Sequence, residues 1–236
     1  ITLTAEFAQS FSGKCGDNLY WELIDTTLHI TGSGAMYDYT PNAAPWTLIR
    51  NSIKSITVAE GVTKIGNNAF DGCTALESVV WNARNYADAK YAPLYAIRSQ
   101  IKSFTFGEAV EHIPAYLCYG MEHLTSVSIP NSVTSIGEKA FESCSALESI
   151  VWNAKNCSDF ETSEKAPFYA IRSQISSCTF GKAVEHIPAY LCYGMEKLTS
   201  INTPNSLKTI GTSAFEGCTR LGKISLGTGL EDIAAN

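Results

Sequence analysis

Charge is scarce in this chain. Asp, Glu, Lys and Arg make up 17% of its 236 residues, against roughly 25% in an ordinary soluble domain. Packing, far more than ion pairing, must hold it together. Basic residues are the scarcer kind, with 17 Lys and Arg against 23 Asp and Glu and a formal net charge of −6. That shortage argues against nucleic acid and against anionic membrane surfaces, since both are held by basic patches. No apolar run approaches the roughly 20 residues that span a bilayer, so no membrane insertion is expected in this segment. The chain opens at Ile1 without an initiator Met. This reads as a mature or trimmed chain whose export signal is gone.

The signatures of catalysis and cofactor binding are also missing. There is no Gly-rich phosphate loop and no isolated close pair of carboxylates. No Cys-x2-Cys or clustered ligand set appears for zinc. No metal, no cofactor and no enzyme activity is expected. One constellation invites a nucleophile reading: His112 with Cys118, recurring as His186 with Cys192. The cysteines are expected to be buried, and no residue is placed to orient the histidines. A duplicated repeat explains the recurrence without chemistry.

What is present is repetition. Residues 111–122 recur, identical, at 185–196. A second unit at 62–73 returns at 133–144 and 207–218. Each unit follows a short strand signal, beginning at Ser55, Ser78, Ser103, Ser126, Ser149, Ser177, Ser200 and Lys223. These starts are spaced 23, 25, 23, 23, 28, 23 and 23 residues apart, and Thr27 lies 28 before Ser55. Nine coil starts with a period near 23 fall inside the range of leucine-rich repeats. One unit cannot bury its own apolar face, so neighbours must stack on it. A 45% apolar composition supplies the core.

Within each strand the second and fourth residues are apolar and the first and third mostly Ser or Thr. Such alternation places one face in and one face out. Ile56, Val58, Phe104, Phe106, Val127, Ile129, Ile150, Trp152 and Phe180 are expected to point inward. The fold class is an α/β-type solenoid: a right-handed leucine-rich-repeat coil with one parallel β-sheet and short helices opposite. The helices are inferred from Ala69, Phe70, Cys73 and Leu76, which have the three-to-four spacing of a helix's inner face. The segment Leu19 to Ile24, then Asp25 and Thr26, then Thr27 to Thr31 reads as a hairpin. Residues 1–26 are assigned as an N-terminal β-hairpin cap and 27–236 as the solenoid, a single domain overall. The last coil stops short of its helix and has no cap. This predicts that the native chain continues past Asn236 or that a partner covers this end.

Five of the eight cysteines occupy core positions: Cys73, Cys118, Cys144, Cys192 and Cys218. Cys178 takes an inward strand position. All six read as buried, reduced thiols. Cys15 and Cys157 have no repeat partner and could be exposed. The long coils carry inserts, each including an Ala-Pro segment at Ala44, Ala92 or Ala166. Pro in the first turn of a short helix explains that start. Arg50, Arg98 and Arg172 recur within these segments and suit a structural role at the helix ends or toward the adjacent coil, the alternative being a ligand-facing ladder.

The repeat resembles the BspA-type (treponemal-type) leucine-rich repeats. Ile129 to Leu147, reading Ile-Pro-Asn-Ser-Val-Thr-Ser-Ile-Gly-Glu-Lys-Ala-Phe-Glu-Ser-Cys-Ser-Ala-Leu, carries the resemblance. Cys15-Gly-Asp-Asn-Leu-Tyr-Trp with the later Ala44-Pro-Trp is similar to the family's N-terminal module. The resemblance implies a secreted or surface-anchored protein of host-associated microbes. It further implies a non-catalytic scaffold that binds or adheres to host or matrix macromolecules. A structural spacer or surface-layer segment presenting another domain is the alternative. The partner is a protein or glycan at the cell surface.

The inserts vary between the two large repeats while the core does not, and loops freed from packing are where a scaffold can place specificity. The candidate contact residues are Tyr86, Asp88 and Tyr91 on the first insert, and Phe160 and Glu161 on the second. The aromatic ones could equally pack against their own inserts. The competing surface is the outward strand face, Thr105, Ser128 and Thr179, which offers few anchors.

Overall fold

The computed structural model describes residues 11–88 and 92–234. Tyr91 lies outside them. A ladder of four-residue strands runs through the repeats: Ser55–Val58, Ser78–Trp81, Ser103–Phe106, Ser126–Ile129, Ser149–Trp152 and Ser177–Phe180, followed by the three-residue strands Ser200–Asn202 and Lys223–Ser225. Every pairing between these strands is parallel and in register, serine against serine at most starts. This is a leucine-rich-repeat fold built mostly from strands. The nine expected inward residues lie on one side; eight are buried and Phe180 is partly so.

At the amino end the expected hairpin is present. Leu19–Ile24 pairs antiparallel with Thr27–Ala35 across Asp25, whose φ is 54°. Phe11–Lys14 adds a third antiparallel strand outside it. Thr27–Ala35 then lies parallel to Ser55–Val58, passing the antiparallel region on to the repeats. Trp21 meets Trp46 edge-on at 5.8 Å, and the Trp46 indole N–H donates to the Ala69 carbonyl at 2.8 Å. The N-terminal strands are thereby packed against the Ala44–Pro45–Trp46 segment.

Two expectations need correction. The single sheet is interrupted: Ser103–Phe106 is not paired with Ser126–Ile129, nor Ser177–Phe180 with Ser200–Asn202. A second, thinner ladder accompanies it, with His112–Ile113 on Ser135–Ile136 and His186–Ile187 on Thr209–Ile210. Among the described residues the repeats themselves also carry no helix opposite the sheet; the few short helices lie in the inserts. The repeats close by successive turns, as in Ala69 N–H to Gly66 O, Cys73 N–H to Phe70 O and Leu76 N–H to Cys73 O. Ala69, Phe70, Cys73 and Leu76 are buried as expected, but in turns.

The reason lies in the backbone. Asn68, Tyr116, Lys139, Tyr190 and Ser213 occupy the same place in five repeats, and all have φ between 52° and 61°. Four residues later Gly72, Gly120, Ser143, Gly194 and Gly217 are also left-handed, with φ between 63° and 74°. A right-handed helix cannot run through two left-handed residues four apart. The helices that do form among the described residues are 3-10 helices of the inserts, at Thr47–Ser52, Tyr95–Gln100, Ser163–Lys165 and Tyr169–Gln174. Pro45 and Pro93 stand before the caps Trp46 and Leu94, so these prolines precede the first turn and do not lie within it.

Candidate functional site

Four consecutive repeats build one groove of about 850 Å³. The repeat beginning at Ser55 supplies Asn67, Asn68 and Asp71, and the first insert supplies Tyr86, Leu94 and Tyr95. Tyr116 and Tyr119 come from the third repeat, Lys139 and Glu142 from the fourth. The Tyr116 and Tyr119 rings meet at 6.0 Å, and the Lys139 ammonium lies 6.0 Å from the Tyr116 ring centroid. Lys139 also sits 3.4 Å from Glu142, whose carboxylate holds the ammonium pKa above its ordinary value. Tyr95 is 56% exposed and carries the Arg98 guanidinium 3.5 Å over its ring. Two cations, Lys64 and Lys139, against two carboxylates, Asp71 and Glu142, leave the groove without a dominant charge. Its chemistry is aromatic faces with phenol, amide and carboxylate groups between them.

The same aromatic arrangement recurs one large repeat on. Tyr190 and Tyr193 meet at 6.0 Å, Tyr169 lies 6.3 Å from Tyr193, and Arg172 covers Tyr169 at 4.0 Å. The arginines also settle a structural question. Arg98 donates to the Tyr95 carbonyl at 2.5 Å and Arg172 to the Tyr169 carbonyl at 2.6 Å. Each lies across the left-handed glycine of a neighbouring repeat, Gly120 and Gly194, where an added Cβ would collide with it. Arg50 lies over Gly72 in the same way and donates to Asn42 at 2.5 Å.

The insert residues singled out from the sequence have mixed fates. Tyr86 is 3% exposed, and its hydroxyl accepts the Ile65 N–H at 2.9 Å; burial pushes its phenol pKa up. Phe160 is 8% exposed and belongs to the core. Both take the packing alternative. Glu161 is exposed and pairs with Lys165 at 2.7 Å, while Lys165 also reaches Glu138. Asp88 is bound from two sides: one carboxylate oxygen accepts the Ala115 N–H at 2.7 Å and lies 2.9 Å from His112 Nε2. His112 Nδ1 contacts the Ser135 hydroxyl at 2.8 Å. Asp159, His186 and Thr209 repeat this arrangement at 2.8 and 2.7 Å, with Ala189 N–H on Asp159.

The histidines therefore do have orienting partners, contrary to the sequence reading. The arrangement is a latch between repeats rather than a catalytic triad. The aspartate oxygen is already engaged by a backbone amide, and none of the six residues lines the groove. Cys118 and Cys192 are fully buried, and burial holds the Cys118 thiol pKa well above the ordinary value. Cys15 and Cys157 are buried too, at 0% and 1% exposure, which corrects the expectation that they could be exposed. Each lies among core side chains that the repeat pattern does not index. All eight cysteines are free thiols. Among the described residues no group of His, Cys, Asp or Glu could hold a metal, and no helix is long and apolar enough to cross a membrane.

Sequence reasoning missed the groove's tyrosines although they sit in the segment repeated without change. The signal was Tyr116 and Tyr119 three apart beside Gly120, but the half-buried surface they create needs the neighbouring insert.

A family model described as BspA type leucine rich repeat region matches residues 48–164 and 161–236, in six copies. Among solved structures, a leucine-rich repeat protein from Eubacterium ventriosum is 17% identical over 94% of this chain and 86% of its own, with a TM-score of 0.37. The T. pallidum leucine-rich repeat protein is 17% identical over 93% and 85%, with a TM-score of 0.34. The pneumococcal vaccine antigen PcpA is 11% identical over 92% and 82%, with a TM-score of 0.37. No curated protein matches the chain.

Proposed function

The chain belongs to the BspA-type leucine-rich repeat family, and on that premise we propose that it is a non-catalytic binding scaffold acting outside the cell, with the aromatic groove as its contact site. The repeats form a solenoid body over residues 27–236. Within the 1–26 cap, the described strands Phe11–Lys14 and Leu19–Ile24 cover the first edge of the repeats, which would otherwise present unpaired strand groups.

One observation carries the choice of site. Tyr116 sits at φ 60° and Lys139 at φ 59°, a conformation costing an L-residue roughly 1–2 kcal/mol. Asn68 holds the same place in another repeat at φ 55°, and Asn tolerates it far better. A bulky aromatic kept at a strained turn, partly exposed and lining a groove, points to use and not to packing alone. Tyr190, at φ 61°, repeats the left-handed turn, although it packs in part against the core. Tyrosine offers large contact area with little rotamer freedom to lose, which suits protein and glycan partners alike. The insert side contributes as well. Tyr86 underlies the groove, Glu161 is exposed on the second insert, and Asp88 is proposed as a separate contact outside the groove, through its unengaged oxygen.

The test is a screen of the purified chain against immobilised matrix proteins and glycans, repeated with Tyr116, Tyr119, Tyr190 and Tyr193 all changed to Ala. Binding by the parent and loss in the variant, with an unchanged melting profile, is the expected result. Equal binding by both, with loss on altering Thr105 and Thr179, would move the site to the strand face.

A further inference from the structure

We propose that Cys178 and Cys192 form a dithiol that peroxide converts into a disulfide, the cleft beside Cys178 being the way in.

The two sulfurs lie 3.7 Å apart, with the Cys192 thiol donating to the Cys178 sulfur. A disulfide bond is about 2.05 Å long, so the sulfurs need to close by only about 1.6 Å in all. Small rotations about the two Cα–Cβ bonds can supply this. The other thiols of this part of the core point elsewhere: Cys144 donates to the Cys118 carbonyl at 3.0 Å and Cys218 to the Cys192 carbonyl at 3.1 Å. The first large repeat lacks the pair. Phe104 stands where Cys178 stands, opposite Cys118, so the dithiol belongs to one repeat only.

Access comes from the break in the strand ladder. Ser177–Phe180 and Ser200–Asn202 are not paired, and a cleft of about 220 Å³ opens there, lined by Ser177, Cys178, Thr179, Ser200 and Asn202 among others. Cys178 retains 4% exposure whereas Cys192 has none. A cleft of about 220 Å³ has room for a molecule as small as hydrogen peroxide. The chemistry balances with peroxide as the two-electron oxidant. The Cys178 sulfur attacks one peroxide oxygen, the O–O bond breaks, and a sulfenic acid and water result. The Cys192 sulfur then attacks the Cys178 sulfur. The S–O bond breaks, and the departing hydroxide takes the Cys192 proton as a second water. Two thiols and one peroxide become one disulfide and two waters.

The bond would join residues 14 apart in sequence, tying a strand of the sheet to the turn side of its own repeat. Cross-links of this kind restrict the unfolded chain.

The experiment uses the intact chain, kept in dithiothreitol or treated with hydrogen peroxide, then alkylated in denaturant, digested with trypsin and weighed. Eight alkylated cysteines are expected in the reduced sample. After peroxide six are expected, with residues 173–182 linked to residues 183–197. The oxidised form should melt several degrees higher. Cys178→Ala should keep all seven of its thiols after peroxide, with circular dichroism checking its fold. Eight free thiols after peroxide, a bond between another pair, or over-oxidised Cys178 with no link would overturn the proposal. A loss of two thiols that persists in Cys178→Ala would overturn it as well. The peptide map of the parent chain decides the matter even if that variant does not fold.

Discussion

Removing the Asp88 carboxylate should loosen the junction of three repeats, and the size of the effect can be worked from its contacts. In Asp88→Ala the Ala115 N–H loses its acceptor at 2.7 Å and His112 Nε2 its partner at 2.9 Å. A buried group left without a partner costs about 1–3 kcal/mol. The Asp88 side chain is 56% exposed and that of His112 only 22%. Water can therefore re-solvate part of what is lost, and the lower end applies to each contact, giving about 2 kcal/mol. For a chain of this length 1 kcal/mol moves the melting temperature by about 2–4 °C, so the shift should be about 4–8 °C downward. Asp88→Asn keeps an acceptor oxygen and should cost about half as much. Asp159→Ala should match Asp88→Ala, and the double variant should be additive because the two latches share no partner. Thermal melts give the total, while amide hydrogen exchange gives the location. Exchange at Ala115 should accelerate in Asp88→Ala, while Ala189 stays unchanged. A shift below about 1 °C, or an Ala115 amide as protected as before, would refute the latch.

Burial raises the thiol pKa to about 11 for Cys15, Cys73 and Cys218 and to about 12 for Cys144 and Cys157, from an ordinary 9.0. The unfolded chain releases these protons first, so stability should hold below pH 9 and fall steadily from pH 9 toward 12; equal urea midpoints at pH 8 and pH 10.5 would contradict this. Gly137→Ala should cost about 1–3 kcal/mol, since its Cβ would fall on the Ala115 backbone and the Asp88 carboxylate. Gly222→Ala, where nothing lies nearer than 4.0 Å, serves as the near-neutral control in the same urea titration. Tyr116→Asn should change stability by less than about 1 kcal/mol, because relief at the left-handed turn offsets the lost ring contact with Tyr119. It should still weaken binding of any partner the screen identifies, and a variant that binds as tightly as the parent would remove Tyr116 from the site.

The strands were legible because two periods coincide, alternation within each strand and recurrence near every 23 residues. Ile56, Phe104 and Trp152 could be assigned inward from those alone. The turn side was misread for a physical reason. Residues at three-to-four spacing, such as Ala69 and Cys73, bury equally well in a helix or in a string of tight turns. What separates the two is the left-handed residue at Asn68, Tyr116 or Lys139, and only the first of these advertises such a conformation. Gly72, Gly120 and Gly194 were the better clue, standing four residues further on. The latch was also readable in hindsight. Residues 82–88 and 153–159 align, and Asp88 and Asp159 persist while Tyr86 gives way to Cys157. The partners His112 and His186 lie 24 and 27 residues away, and no local pattern joins them. The groove was hidden for the same reason, being assembled from four separate repeats.

The duplicated tyrosine platform has a consequence for how tightly anything is held. Tyr116 with Tyr119, and Tyr190 with Tyr193, sit three repeats apart, about 14 Å along the ladder at the usual strand spacing. A ligand that presents one matching group gains one weak contact. A polymer that presents the group at intervals near that distance gains two, and the second forms at the high effective concentration set by the first. On the proposed reading such a surface would discriminate by the periodicity of what it meets: a repetitive strand would be retained while its isolated unit is let go.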